Sequence, residues 1–527
     1  YDMVKRILDY IKKIPGVLDE KTVKEAQFKI ISDYLNNLNI TAGLAYNLSS
    51  SEATMSDPFF DIHYLDSIKK ISCKDISYVI HKYFRKENTT EIFFLPEDHR
   101  KKTESAHQKL PPKKMEKVKL QNSSTLLIKH EVKNPILNAV VVMRGGLEHE
   151  NKEHMGIFNM MTKMLLEGNA EYTKEKMHSV IESQGGKIRA FSGYNSFGLI
   201  VNFLKNQEKD IYAILRSILT KPHFSKKNLA IVKNKIKESM EIDKENIWAQ
   251  MELEFKKNAY KGHPYSFNKK GSHKSIDTLT TQNLLSYYKK FIVSENLIFS
   301  VSGDINIPLL KKELNMIPHN RFSQKTQEHT LIPLKHKNVI SGKIDKEQTA
   351  YRVAFRTCRL GDEKAKYFDL LDSYLSGMGG PLFRIRESTG NSYQVGSYNH
   401  MYKDTGIFVF FINTGSHVQS NDNWILEQFL KSIYTIKKGK ISNKDVERAY
   451  NNLIGGKDIE MQSPINITLN TALYELYGVG YNHYFKEYDL LEKNTDILKK
   501  KLIAVISSFF NNTNFIFLKL SKKNGDS

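Results

Sequence analysis

Three helix starts recur along this chain of 527 residues, and an asparagine follows each of them at a nearly constant distance. Asp19, Ser225 and Ser442 each lie between an apolar residue and a second apolar residue four positions on. This is the pattern of a helix N-cap with a hydrophobic staple. The asparagines follow 69, 71 and 72 residues later, each close to an apolar run (Asn88, Asn296 and Asn514). We therefore predict that the chain is built from structural repeats.

Each repeat has a second capped helix shortly before its asparagine and an apolar strand after it. Copies two and three also have a front half, in which a strand leads through helices to further strands. The predicted strands and helices of the front halves are 139–143, 156–166, 173–184, 350–355, 364–375, 407–412 and 424–437. The sequence thus predicts an α+β fold, in which each unit of about 200 residues packs helices on a largely antiparallel sheet.

These patterns divide the chain into two complete units and the end of a preceding one. The predicted divisions are the end of a unit at 1–98, a linker at 99–118, a unit at 119–317, a linker at 318–337, a unit at 338–522 and a tail at 523–527. Both linkers are polar, contain prolines and are expected to be exposed tethers. The chain would then begin in the middle of its first unit.

Composition limits the function classes. The net charge is +21, but it comes mostly from scattered lysines and no nucleic-acid-binding motif accompanies it, so we predict no nucleic-acid partner. A basic nucleic-acid-binding protein remains a third hypothesis. No apolar run approaches 18 residues, which argues against a membrane span. Cys73 and Cys358 are expected to be two ordinary buried thiols, although one bridge stays open. The sequence does not identify the compartment.

The segment from Leu382 to Tyr393 combines a short helix, a stop at Gly390 and the start of a strand. Arg386 would lie near the helix C-terminus and Tyr393 at the start of the strand, seven residues on. A guanidinium and a phenol held together in this way can both donate to one carbonyl oxygen. The spacing alone equally fits a surface arginine and a half-buried tyrosine.

Further landmarks recur in order along copies two and three. They are Gly146, Glu150, Gly156, Leu166 to Asn169, Gly185-Gly186, His263-Pro264-Tyr265, Gly271 and Gly303-Asp304 in copy two, with Leu382-Phe383, Arg386-Glu387, Gly390 and Ser392-Tyr393 in copy three. Taken together, these features resemble the pitrilysin/insulinase family of zinc metallopeptidases, in the single-chain type with four units. The resemblance covers about residues 15 to 520.

The family binds zinc through His-x-x-Glu-His on a helix, with the Glu as general base and a further Glu as third ligand. In copy two, Asn159 and Lys163 occupy the histidine positions, Thr162 the base position, and Glu238 lies near that of the third ligand. We therefore predict no metal and no catalytic residue in this chain alone. His149 to His154 resembles an inverted zinc motif, but it has one residue too many and is expected to be a solvated loop.

By this resemblance the chain is the carboxy-terminal, non-catalytic half of a zinc metalloendopeptidase that degrades peptides in a closed chamber. A missing amino-terminal half would bind zinc and carry the base, and would be the partner of this chain. Arg386 and Tyr393 would bind the substrate carbonyl and its oxyanion. The alternative is a peptide-binding or scaffold subunit of the same family that has no catalytic role in any assembly.

Overall fold

Side chains cap the repeated helices at the predicted positions. Asp19, Ser225 and Ser442 each accept a hydrogen bond from the backbone N–H three residues on, at 2.7, 3.1 and 3.1 Å. Each bond satisfies a donor that has no partner inside its helix. The three predicted caps are confirmed.

The three asparagines also share one role. The side-chain amide of Asn88, Asn296 and Asn514 donates to the backbone carbonyl five residues earlier, at 3.3, 2.8 and 3.4 Å. In each case that carbonyl belongs to the last residue of a helix. The asparagine therefore satisfies an acceptor that the helix C-terminus leaves open. The strand predicted after Asn88 lies outside the described residues.

The computed structural model describes residues 2–24, 26–27, 30, 41–85, 88, 115–131, 136–182, 186–324, 329–332, 334, 340–344, 348–377, 379–389, 392–414, 422–489, 491–511 and 514–522. It divides the chain into two parts, 1–109 and 110–527. The first part contains α1 (Asp2–Val17), α2 (Thr41–Met55), α3 (Phe60–Lys70) and α4 (Cys73–Tyr83), with further helical residues between 20 and 30. Within it, α1 contacts α4 and α2 contacts α3.

The second part contains two sheets and the helices that cover them. Its strands are β1 (Glu116–Lys119), β2 (Thr125–His130), β3 (Ile136–Arg144), β4 (Lys187–Ser192), β5 (Ser196–Leu204), β6 (Ile298–Gly303), β7 (Ile340–Ile344), β8 (Thr349–Thr357), β9 (Ser392–Met401), β10 (Gly406–Thr414) and β11 (Phe515–Lys522). Its helices are α5 (Ile157–Met164), α6 (Lys174–Glu182), α7 (Glu208–Thr220), α8 (Lys226–Glu245), α9 (Ile247–Ala259), α10 (His273–Thr278), α11 (Thr281–Phe291), α12 (Ile307–Asn315), α13 (Ala365–Ser376), α14 (Pro381–Thr389), α15 (Asp422–Lys437), α16 (Asn443–Glu460), α17 (Pro464–Leu476), α18 (His483–Lys486) and α19 (Thr495–Phe509).

The two sheets have the same strand order. The first is β1-β2-β6-β3-β5-β4 and the second is β7-β11-β8-β10-β9. Except for β1, each strand of the first sheet has a counterpart in the second. The pairs are antiparallel, apart from the parallel pairs β2–β6 and β7–β11. The predicted α+β fold with largely antiparallel sheets is confirmed.

Each sheet is covered on one face by a helix from the other half of the second part. Helix α17 packs against Val140 and Val142 of the first sheet. In the chain, however, it follows strands β7 to β10 of the second sheet. Helix α9 likewise packs against Ala354 and Val409 of the second sheet. The opposite face of each sheet carries its own large apolar core. The two halves are therefore joined by exchanged helices.

A buried ion pair also links the two halves. The Glu148 carboxylate accepts from Lys403 Nζ at 2.7 Å and from Asn195 Nδ2 at 2.8 Å. The Tyr265 hydroxyl lies within hydrogen-bond distance of Asn195 Oδ1 at 2.8 Å and Asp404 Oδ2 at 2.9 Å. Tyr265 is fully buried, and the His-Pro-Tyr sequence forms a structural turn.

The two predicted linkers differ from exposed tethers where the structure describes them. Residues 116–118 of the first belong to β1, the edge strand of the first sheet, in which Val118 is half-buried and packs against the core. In the second linker, Leu334 is buried and Leu331 packs beside it in the cluster around α9. A few apolar residues in a polar segment are enough to anchor it. The tail at 523–527 lies outside the described residues.

Cys73 and Cys358 are both free thiols, and only Cys358 is buried. The expected pair of thiols is confirmed, but the expected burial of Cys73 is wrong. None of the described helices is long and apolar enough to cross a membrane.

Candidate functional site

Helix α5 carries the positions that the resemblance assigns to the zinc motif. Two glycines determine the path of the backbone into this helix. Gly146 and Gly156 have backbone φ angles of +87° and +90°, which favour glycine. A Cβ on Gly156 would also lie 2.8 Å from the carbonyl oxygen of Lys270. Because Gly156 directly precedes α5, this close contact fixes where the helix begins.

Glu150 caps the same helix with its side chain. Its carboxylate accepts from the backbone N–H groups of Gly156 at 2.7 Å and Phe158 at 3.2 Å. Burial of this group raises its pKa to about 8, although these two hydrogen bonds act in the opposite direction. A carboxyl group with such a pKa holds its proton in neutral solution for most of the time.

The loop from His149 to His154 is solvated only in part: residues 151–153 are exposed, as its polarity predicted, whereas Glu150 is buried and both histidines are half-buried. Glu150 is buried, the ring of His149 lies 5.0 Å from that of Phe291, and the ring of His154 lies 5.7 Å from that of Tyr287. The loop packs on α11 because the amides of α5 satisfy its buried carboxyl group and aromatic rings cover its histidines. The predicted absence of a zinc site here remains a prediction.

We expect Glu150→Gln to change how stability depends on pH. The folded-state pKa of Glu150 lies above its ordinary value, so the wild-type protein loses about 1.4 kcal/mol per pH unit from this group between about pH 4.5 and 8. Glutamine does not titrate and retains one acceptor for α5. The free energy of unfolding of the variant, relative to wild type, should therefore rise with pH over this range in urea titrations.

Glu153→Gln is the matched control, because Glu153 is exposed in the same loop. Its free energy of unfolding should follow that of the wild type at every pH. A difference between Glu150→Gln and wild type that stays constant from pH 5 to 8 would contradict the assignment of a protonated Glu150.

The four degenerate motif positions do not form a metal site. Asn159 is half-buried and its Nδ2 has no hydrogen-bond partner among the residues that the structure describes, whereas Thr162 is 2% exposed and donates to the Asn159 carbonyl at 3.1 Å. Lys163 and Glu238 are both exposed, the latter on α8 beside α5. Amide, hydroxyl and ammonium groups are poor partners for Zn²⁺. The residues present do not fit zinc, and no group of three potential metal ligands occurs in the described part of the chain.

Arg386 and Tyr393 lie on two adjoining elements, as predicted. Arg386 belongs to α14 and Tyr393 is the second residue of β9, the edge strand of the second sheet. Helix α14 contacts β9. The side chains of both residues, and Gly390 between them, lie outside the described residues. The structure thus places the two backbones on neighbouring elements, and their proposed joint role stays a prediction.

The turn before α14 requires glycine at one position. Gly379 has a φ of +74° and a Cβ there would meet no atom within 4 Å. Gly379 therefore provides a positive-φ turn before α14, in a place with open space around its Cα.

Sequence reasoning missed two half-buried carboxyl groups on α13, the counterpart of α5 in the second half. Asp369 and Asp372 line a cavity of about 310 Å³ between α13 and α16, together with Lys457 and Tyr488. Burial raises the pKa of Asp369 to about 7 and that of Asp372 to about 6. Two aspartates three residues apart on a helix that is mostly apolar were the available signal.

Two family models match this chain. The model described as "Insulinase (Peptidase family M16)" matches residues 125–268, and the one described as "Peptidase M16 inactive domain" matches residues 278–453. Together they cover more than half of the chain. The first match includes α5 with its degenerate zinc motif, and the second includes Arg386 and Tyr393.

Several curated proteins are similar. An uncharacterized zinc protease of Rickettsia felis is 24% identical over 416 residues, which cover 74% of this chain and 94% of that protein. The non-peptidase homolog YmxG of Helicobacter pylori is 20% identical over 392 residues, with coverage of 73% and 89%. The mitochondrial-processing peptidase subunit beta of Saccharomyces cerevisiae is 23% identical over 362 residues, with coverage of 63% and 75%.

The fold is also shared with solved structures. A crystal structure of a peptidase M16 inactive domain from Pseudomonas fluorescens matches with a TM-score of 0.70 at 17% identity, and covers 79% of this chain and 99% of that one. The family thus includes proteins named as zinc proteases, one named as a non-peptidase and one named as a subunit of an assembly. On the strength of the two family models, this chain belongs to the insulinase family of peptidases, peptidase family M16.

Proposed function

We propose that this chain is the non-catalytic half of a zinc-dependent metalloendopeptidase, and that it acts on peptides only together with a catalytic half that has an intact His-x-x-Glu-His motif. The zinc and the general base would belong to that partner. This chain would supply part of the wall of a closed chamber and the residues Arg386 and Tyr393.

The observation that carries the proposal is the contrast between fold and ligands at α5. The two positive-φ glycines and the Glu150 cap preserve the helix that bears the zinc motif in the family. At the three motif positions on this helix, however, the chain has Asn159, Thr162 and Lys163. A unit that retains its fold but lacks its ligands is expected where the fold is needed for assembly or for substrate binding and the metal is supplied elsewhere.

Arg386 and Tyr393 are the residues by which this chain would stabilise the reaction intermediate in the proposed chamber. Cleavage of a peptide bond passes through a tetrahedral intermediate whose oxygen carries negative charge. A guanidinium and a phenol O–H that both donate to this oxygen favour the intermediate over the neutral carbonyl. Their positions on the adjoining elements α14 and β9 support a joint role, because the two backbones stay close whatever the substrate.

The test is reconstitution with a family chain from the same source that carries the intact motif. We expect the purified chain to hold less than about 0.1 zinc per molecule after dialysis, since the ligand set does not fit zinc. It should not cleave peptides alone, and cleavage should appear or increase at least about tenfold on mixing. Stoichiometric zinc with cleavage by this chain alone would overturn the proposal.

A second candidate is a peptide-binding or scaffold subunit without any catalytic role. The observation that favours it is the relative named as a non-peptidase homolog, which matches most of this chain. In that case a stable complex with the motif-bearing partner would form, but the rate of peptide cleavage by the partner would not change.

A further inference from the structure

The helix that ends just before the repeated asparagine occurs three times in this chain, as α4, α11 and α19. The asparagine bonds to the last helical carbonyl align the three helices residue by residue. In this alignment, Val79 of α4 corresponds to Tyr287 of α11, and Tyr83 corresponds to Phe291. Phe84, directly after α4, corresponds to Ile292. The aligned positions are apolar in all three copies.

In copies two and three, this face is covered by the first helix of the front half. The ring of Phe158 on α5 lies 4.9 Å from that of Phe291 on α11. In the same way, the ring of Phe368 on α13 lies 5.1 Å from that of Phe509 on α19. The chain has therefore formed the same interface twice, each time with one phenylalanine inserted against the C-terminal turn of the asparagine-capped helix.

In copy one the side chains of the corresponding face are exposed to solvent. Val79, Tyr83 and Phe84 are 43%, 54% and 48% exposed, whereas Phe291 and Ile292 of copy two are almost completely buried. Ile80, on the neighbouring face of the same helix, is buried. Val79, Tyr83 and Phe84 are thus exposed on the side that a front-half helix covers in the other two copies, and Tyr78, one position before Val79, is exposed as well, at 61%. Adjacent large apolar side chains on a surface indicate an interaction site.

We propose that the α4 face, formed by Val79, Tyr83 and Phe84, binds an amphipathic helix of the catalytic partner that inserts an aromatic side chain against it. This inference rests on the proposed function for the identity of the partner, and on the two internal interfaces for its geometry. The partner segment would repeat the front half of a unit, a strand that leads through glycine to an apolar helix, as β3 leads to α5.

The test combines three substitutions in this chain, Val79→Ser, Tyr83→Ser and Phe84→Ser. Because these side chains are exposed, the triple variant should unfold at the same urea concentration as the wild type. Its dissociation constant for the motif-bearing partner, measured by sedimentation, should rise at least about 100-fold, since aromatic residues at the centre of an interface contribute most of the affinity. Hydrogen exchange of residues 73–83 should slow in the wild-type complex.

The matched control replaces three exposed apolar residues elsewhere, Ile242, Tyr434 and Ile459, by serine. This variant should bind like the wild type. Equal binding by the α4 variant, unchanged hydrogen exchange in the complex, or no complex with the wild type would each overturn the inference.

Peptide cleavage separates this inference from the proposed function. A wild-type complex that cleaves peptides while the α4 variant binds normally overturns only the inference. A complex that the α4 variant disrupts, but in which the wild-type chain leaves cleavage by the partner unchanged, supports the inference and overturns the proposed function.

Discussion

Arg386→Ala should lower the turnover of the reconstituted peptidase about 10- to 1000-fold, and its zinc content should stay the same. The reason is that a donor to the developing oxyanion stabilises the transition state more than the bound substrate, so its loss appears in kcat. Tyr393→Phe removes a single hydroxyl and should act in the same direction. Steady-state kinetics on one peptide, beside metal analysis of the same samples, would measure both effects.

Arg384→Ala is the matched control for Arg386. Arg384 lies on the same helix, is exposed, and its guanidinium makes a long contact of 3.5 Å to the Gly379 carbonyl. Its loss should leave kcat within about twofold of the wild type. Tyr398→Phe provides the same control on β9. Equal losses in the control and the test variants would indicate a general effect on the second half and contradict the proposed pair.

Glu148→Ala should lower the free energy of unfolding by about 3–5 kcal/mol. Its carboxylate is only 2% exposed and pairs with Lys403 across the two halves at 2.7 Å. Truncation leaves the Lys403 ammonium and the Asn195 amide beside an empty space, and both lose a partner that water replaces poorly. Urea denaturation at neutral pH would measure the loss.

The double variant Glu148→Ala/Lys403→Ala should recover part of this loss, because it removes the unpaired charge as well. Glu254→Ala is the control, since its pair with Lys257 is largely exposed and should contribute at most about 1 kcal/mol. If Glu148→Ala cost no more than Glu254→Ala, the ion pair between the halves would not contribute to stability.

Local chemistry explains why the repeat could be predicted from the sequence. A cap such as Ser225 depends only on residues within one helical turn, and the apolar face of a helix follows from its own periodicity. The assignment of Asn159, Thr162 and Lys163 to the motif positions came from the family resemblance and not from such local patterns.

The features that the sequence did not predict depend on contacts between residues that are distant in the chain. The charged sequence Glu116–Lys119 gave no sign that β2 would accept it as an edge strand. Glu150 is polar in a polar loop, and its burial follows from α5 and α11, which lie on opposite sides of it in the chain. The cavity beside Asp369 likewise requires α16, more than 70 residues away. Single-sequence patterns do not contain such pairings.

The exchange of α9 and α17 has a consequence for how such a protein can change over generations. Each helix belongs to one half in sequence but packs on the sheet of the other half. Whether a substitution in α17 is tolerated therefore depends on its packing against β3 and β6. If one of these two halves of the second part lost its metal ligands, it could not be deleted, because the sheet of the other half would lose the helix that covers it. On the proposed function, retention of a unit without zinc ligands follows from that mutual dependence, even before any contribution to catalysis.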